Sequence, residues 1–204
     1  MTTHYYEGDL PVGVTFGDSV AIDTETMGLV PGRDRLCLVQ LSAGDGEAHI
    51  VKIARGQKAA PRLVALLENP KVLKIFHFAR FDIAMLKQQL GARVSPLYCT
   101  KIVSKLVRTY TDRHGLKELC REILGVELSK QQRSSDWGHT EMTAEQLHYA
   151  ASDVLYLHKI KEKLDLMLVR EEREVLAQAC FDFLPHRADL DLIGWGEQDI
   201  FSHA

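Results

Sequence analysis

Asp23 and Glu25 stand two residues apart in the run Ser19 to Glu25, where Val20, Ile22 and Thr24 alternate with Ala21, Asp23 and Glu25. The alternation predicts a strand, and residues two apart on a strand share a face. Neighbouring carboxylates suit a hard divalent cation, although an isolated pair at a strand end is more often simply solvated. Asp82 lies where a predicted strand hands over to a helix; alone, it also fits an acid favoured by the positive end of a helix dipole. Tyr149 and Asp153 are four apart in a helical segment, one turn on the same face, so the phenol points where the carboxylate points. Such pairs are common on helix surfaces. The combination is more specific than its parts, because several acids in apolar contexts repel one another in a folded core unless cations neutralise them. Oxygen ligands select magnesium or manganese. Two such ions can activate a water, stabilise charge developing on phosphorus and take up the leaving 3′ oxygen of an in-line displacement.

The elements that must position these groups follow from the pattern. Strands are expected at Ser19 to Glu25, Leu36 to Ser42 and Ala48 to Ile53, the last two separated by the turn-rich Gly44-Asp45-Gly46. A helix from Arg62 to Glu68 sits between Pro61 and Asn69-Pro70, and an apolar strand follows from Val72 to Phe78. Beyond Phe81 the chain reads as helical, with segments near 81–90, 100–109, 115–124 and 143–168, and another from about 170 to 183. Thr143-x-x-Gln146 fits a capping box and fixes the start of the long helix that carries Tyr149 and Asp153. The class is α/β, with a mixed sheet flanked by helices.

At 204 residues and 46% hydrophobic content the chain suits one domain core. We expect that domain over 1–185, and a tail over 186–204 whose Ile193, Trp195, Ile200 and Phe201 must pack on the domain or on a neighbour. No apolar run is long enough to span a bilayer, and Met1 to Asp9 lacks the pattern of a secretory signal, so a soluble, cytoplasmic protein is expected. Four cysteines at 37, 99, 120 and 180 show no CxxC spacing and read as reduced core residues. The net charge of −3 disfavours a protein that coats long duplexes, since such binding neutralises many phosphates.

Asp23-x-Glu25 in AIDTET, Asp82 in FHFARFDIAML and Tyr149-x-x-x-Asp153 in YAASDVLYL resemble the three exonuclease motifs of the DEDD superfamily, and the tyrosine marks the DEDDy branch. LSKQQRSSDW, Leu128 to Trp137, is similar to the stretch before the last motif in ribonuclease D. Over essentially the whole length, including KIVSKLVRTYTDRHGLKEL and LDLIGWGEQDIFSHA, the chain resembles the nanoRNase C group. The resemblance implies a ribonuclease H-like fold in which Asp23, Glu25 and Asp153 bind a first metal ion, Mg2+ or Mn2+. Asp23 would bridge to a second ion whose outer shell includes Asp82, and Tyr149 would orient the attacking water. It implies 3′-5′ removal of mononucleotides, with RNA dinucleotides as substrate, and a ring-shaped octamer. Classical ribonuclease D carries helical HRDC domains after its nuclease domain, and none is expected here. Oligoribonuclease has histidine where this chain has Tyr149, so dinucleotide specificity must come from the surrounding pocket.

Secondary positions follow. Leu29 resembles the apolar wedge that separates two terminal bases in related exonucleases, and otherwise reads as a core or turn leucine. Thr24, between the strand acids, is assigned with them to the substrate site. His77, Phe78 and Phe81 flank Asp82 and suit stacking on, or hydrogen bonding to, a terminal nucleotide, although aromatics in such a run are more often core. Arg108, Tyr110, Arg113 and His114, with Lys130 and Gln132, offer donors for a 5′ phosphate, or else solvate a loop. The competing readings are a general ribonuclease D-type exonuclease on longer RNA or DNA, a silent nucleic-acid binding module, and an oligomeric scaffold. The intact acidic set disfavours the binding module, because binding alone needs no carboxylates facing phosphates.

Overall fold

The structure, a computed structural model, describes residues 2–128 and 135–203. Six strands form one mixed sheet in the order β1-β4-β3-β2-β5-β6. The strands are β1 (Thr2–Glu7), β2 (Ser19–Thr26), β3 (Leu36–Ser42), β4 (Glu47–Lys52), β5 (Leu73–Phe76) and β6 (Leu97–Cys99). β3 runs antiparallel to both β2 and β4, whereas β2/β5, β5/β6 and β1/β4 are parallel. All seven residues of β3 are buried, as expected of a strand covered on both faces. β1 and β6 are strands that periodicity did not reveal: β6 has three residues, and β1 has no buried position to alternate with its exposed ones.

Helices α1 (Pro61–Glu68), α2 (Ala79–Leu90), α3 (Thr100–Val107) and α4 (Leu116–Leu119), the last continued by a π-helical turn at Cys120–Leu124, follow the expected segments. Proline at the start of α1 is pre-set for a helix and lacks an N–H that would in any case be orphaned there. The helix expected over 143–168 is two helices, α5 (Ala144–Leu155) and α6 (Leu157–Arg170), broken at Tyr156 with φ −106° and ψ −6°. No glycine or proline signals the break. Its cause is tertiary, because α5 lies on β2, β3 and β4 while α6 lies against α3 and β5. The capping box at Thr143 and Gln146 is formed in both directions.

α7 (Glu174–Leu192) extends nine residues past the expected end at 183 and runs through Pro185, so the change of character after Pro185 falls inside a helix. Packing on α2 holds it there: Phe181, Leu184 and Ala188 are buried, Arg80 pairs with Asp191 at 2.6 and 2.7 Å, and Lys87 pairs with Asp189. Beyond the helix, Ile193, Trp195, Ile200 and Phe201 remain exposed, with Phe201 against the Phe183 ring. Cys37, Cys99 and Cys120 are free and buried, but Cys180 is exposed, which corrects its reading as a core residue. Its place on the solvent side of α7 is the reason.

Candidate active site

Asp23 and Glu25 lie on β2, the strand between β3 and β5. The strand period sends both side chains to one face, where α5 brings Asp153 to meet them. Ligand oxygens of Asp23, Glu25 and Asp153 lie within 4.8 Å of one another. Asp82 reaches the same cavity from the first turn of α2, where the Thr24 hydroxyl donates to its Oδ1 at 2.7 Å. The chain enters α2 through Phe78 in the left-handed region, φ 71°. A non-glycine residue adopts that conformation at a cost of about 1–3 kcal/mol, and here it turns the Phe78 ring outward, 44% exposed. The Lys101 ammonium lies 4.4 Å from that ring's centroid.

The cavity has a volume of about 730 Å³ and is lined by the four acids together with Thr24, Leu29, His77, Phe78, Phe81 and Tyr149. Its electrostatics are those of crowded, buried carboxylates. Burial pushes Asp23 up to about 7, against the lowering effect of the Thr24 backbone. Burial, then Asp23, Asp153 and Asp82, hold Glu25 well above the usual carboxylate range. Asp82 is raised in the same way by burial and Asp23, with Thr24 opposing. Burial, with Lys101 nearby, pushes the His77 imidazole down to about 3, so it is neutral, and its Nδ1 shares a 2.9 Å hydrogen bond with Thr100 Oγ1. A cation among these oxygens would favour the ionised carboxylates and remove the repulsion. This donor set fits a divalent metal.

The model of the 3′-5′ exonuclease family matches residues 13–169, which include Asp23, Glu25, Asp82, Tyr149 and Asp153. The chain belongs to the 3′-5′ exonuclease family. Among solved structures, the exonuclease is similar to Brucella melitensis NrnC with bound Mg2+, at 55% identity, TM-score 0.96 and full coverage of both chains. It is equally similar to Brucella melitensis NrnC bound to pGG, at 56% identity, TM-score 0.97 and full coverage of both. Escherichia coli RNase D is 26% identical with TM-score 0.75, over 84% of this chain and 45% of that one. Among curated proteins, Ribonuclease D of Acidiphilium cryptum is 36% identical over 154 residues, 76% of this chain. The exonuclease spans 39% of that relative's length. Likeness over the full length of both chains puts the exonuclease with NrnC inside the family, and its mixed sheet flanked by helices is the family's ribonuclease H-like fold.

Not every expected substrate contact reaches the cavity. Leu29 is 77% exposed at its mouth, so it is no core leucine. Arg108 is 0% exposed and held by Ser104 Oγ at 3.1 Å, the Arg113 carbonyl at 2.9 Å and the Glu122 carboxylate. It is a structural cation and corrects the reading of Arg108 as a phosphate clamp: its donors are already spent on the α3–α4 connection. Arg113 is exposed and lies outside the residues lining the cavity. Lys130 and Gln132 lie outside the described residues. Trp137 belongs to the site although the sequence assigned it no role. It is 2% exposed, lines the cavity and sets its ring 6.0 Å from that of Tyr149. Its place in the SSDW segment just before the Tyr149 helix was the available signal.

Proposed function

We propose that the exonuclease hydrolyses short RNA from the 3′ end, dinucleotides foremost, to mononucleotides, with two divalent ions, Mg2+ or Mn2+. The observation that carries this reading is the convergence of Asp23, Glu25 and Asp153 oxygens within 4.8 Å, with Asp82 lining the same cavity. Asp23, Glu25 and Asp153 would hold one ion, and Asp23 and Asp82 would help to hold a second. The ions supply Lewis-acid stabilisation of charge on the transferring phosphoryl group and its leaving oxygen. Tyr149, on the same helix face as Asp153, orients the attacking water through its phenol, a task that needs no ionisation. Leu29 separates the two bases at the cavity mouth. Phe78 and Phe81 stack on them, which tolerates any base, and neutral His77 offers a hydrogen bond without adding charge.

The dinucleotide preference is supported by the net charge of −3 and by the pGG-bound state of a 56% identical relative. The exposed apolar residues of the tail support self-association of a kind that buries them, up to the octamer expected from the nanoRNase C group. Among the described residues no helix is long and apolar enough to cross a membrane. The ribonuclease D relatives support the alternative of a general exonuclease on longer RNA or DNA.

A time course on labelled RNAs of two to about twenty nucleotides, with and without a 5′ phosphate, separates the readings. We expect the 5′-phosphorylated dinucleotide to be cut fastest, and loss of the phosphate to slow it about tenfold or more, the value of one charge-assisted bond. Equal rates at all lengths assign the general exonuclease instead.

A further inference from the structure

Lys52, the last residue of β4, is 6% exposed. Its ammonium donates to the carbonyl of Trp137 at 2.9 Å and to that of His139 at 2.6 Å. Arg35, just before β3, donates to the carbonyl between them, that of Gly138, at 3.2 Å. Three consecutive carbonyls are thus gripped by two cations rooted in the sheet. The approach is close: a Cβ at Gly138 would press on the Met27 sulfur and lie 2.9 Å from Arg35 Nη2, so those two side-chain ends would have to move aside for it. The same three residues begin with Trp137, whose ring packs at 6.0 Å and 33° on that of Tyr149.

Burying an ammonium is costly, and an apolar side chain at Lys52 would fill the same space without that cost. What an apolar chain cannot do is fix carbonyl directions. Each charge-assisted bond is directional and among the stronger hydrogen bonds proteins make. The Lys52 ammonium lines a separate cavity of about 690 Å³, with Arg33, Arg35 and Arg55, and not the carboxylate cavity. It therefore acts on the chemistry only through the segment it holds.

We propose that Lys52, assisted by Arg35, is a positioning residue for Tyr149: the clamp on residues 137–139 fixes Trp137, and Trp137 fixes the angle at which the phenol meets the water. This rests on the reading of Tyr149 as the water-orienting group. Displacements of about an ångström at a reacting group cost up to about 10²-fold in rate, so partial loosening falls below that ceiling.

The test compares Lys52→Met, of similar length with no donor, with Lys52→Gln, whose amide has two N–H donors. Single-turnover rates on a 5′-phosphorylated RNA dinucleotide, KM, and Mn2+ affinity by calorimetry are measured for each, alone and combined with Tyr149→Phe. We expect Lys52→Met to lower the single-turnover rate about tenfold while KM and Mn2+ affinity change less than about twofold, with Lys52→Gln restoring part of the loss. In the Tyr149→Phe background Lys52→Met should cost nothing further, because the group it positions is gone. A wild-type rate for Lys52→Met, or the same loss with and without the phenol, overturns the proposal while leaving Tyr149 in its role. A wild-type rate for Tyr149→Phe overturns both. Should Lys52→Met fail to fold, Arg35→Gln, which weakens the grip on Gly138 alone, is put through the same cycle with the same two outcomes.

Discussion

Replacing Asp23 by asparagine should make the metal-free exonuclease more stable while abolishing hydrolysis. Burial raises the Asp23 carboxyl to about 7 from an ordinary value of 3.8. A carboxylate whose folded-state pKa is raised contributes stability that is complete below pH 3.8 and is lost as pH rises through about 7. At about 1.4 kcal/mol per tenfold change in proton affinity, keeping it ionised at pH 8 costs on the order of 4 kcal/mol. Asp23 is partly open to the cavity, where solvent screens the charge, and the asparagine amide still pays for leaving water. A net gain of about 1–2 kcal/mol remains. For a domain of this size that is a rise in Tm of roughly 2–8 °C. The assay is thermal unfolding in EDTA at pH 8 and at pH 5, then with excess Mg2+. Wild type should melt lower at pH 8 than at pH 5, the variant should flatten that slope, and Mg2+ should stabilise the wild type more than the variant. An Asp23→Asn protein that melts several degrees below wild type in EDTA at pH 8 would refute the view that these acids are held together against their own repulsion.

Tyr149→Phe should bind Mn2+ like wild type yet turn over roughly 10²-fold more slowly; calorimetry and single-turnover kinetics read the two halves, and an unchanged rate removes the phenol from the mechanism. Arg108→Ala should cost about 3 kcal/mol, the low end for breaking a buried ion pair because Glu122 is partly exposed. It should leave the dinucleotide KM unchanged; equilibrium urea unfolding measures the first, and a raised KM with normal stability would return Arg108 to substrate binding.

The acids were legible because their spacing matches the period of the element that carries them: two for Asp23 and Glu25 on β2, four for Tyr149 and Asp153 on α5. Asp82 has no such internal partner, and only its place in the FHFARFDIAML block linked it to the others. Arg108 was misread because its partner, Glu122, lies 14 residues on, past α4; in one dimension a buried cation and a solvated one look alike. Lys52 was invisible for the same reason, since its partners lie 85 and 87 residues away. The break at Tyr156 reflects two docking surfaces and leaves no mark in a sequence of good helix formers. β1 needed its parallel neighbour β4 before its mixture of aromatic and polar residues became a strand.

The oxygens proposed to bind the cations come from distant parts of the chain: Asp153 is made 128 residues after Glu25. A polypeptide emerging from the ribosome has no complete cluster until α5 has been synthesised and has docked on β2, β3 and β4. A protein whose proposed substrate is RNA is thereby inert towards the message still passing through its own ribosome. On the proposed assignment, a chain cut short before Asp153 lacks the third carboxylate of the cluster and should be without nuclease activity.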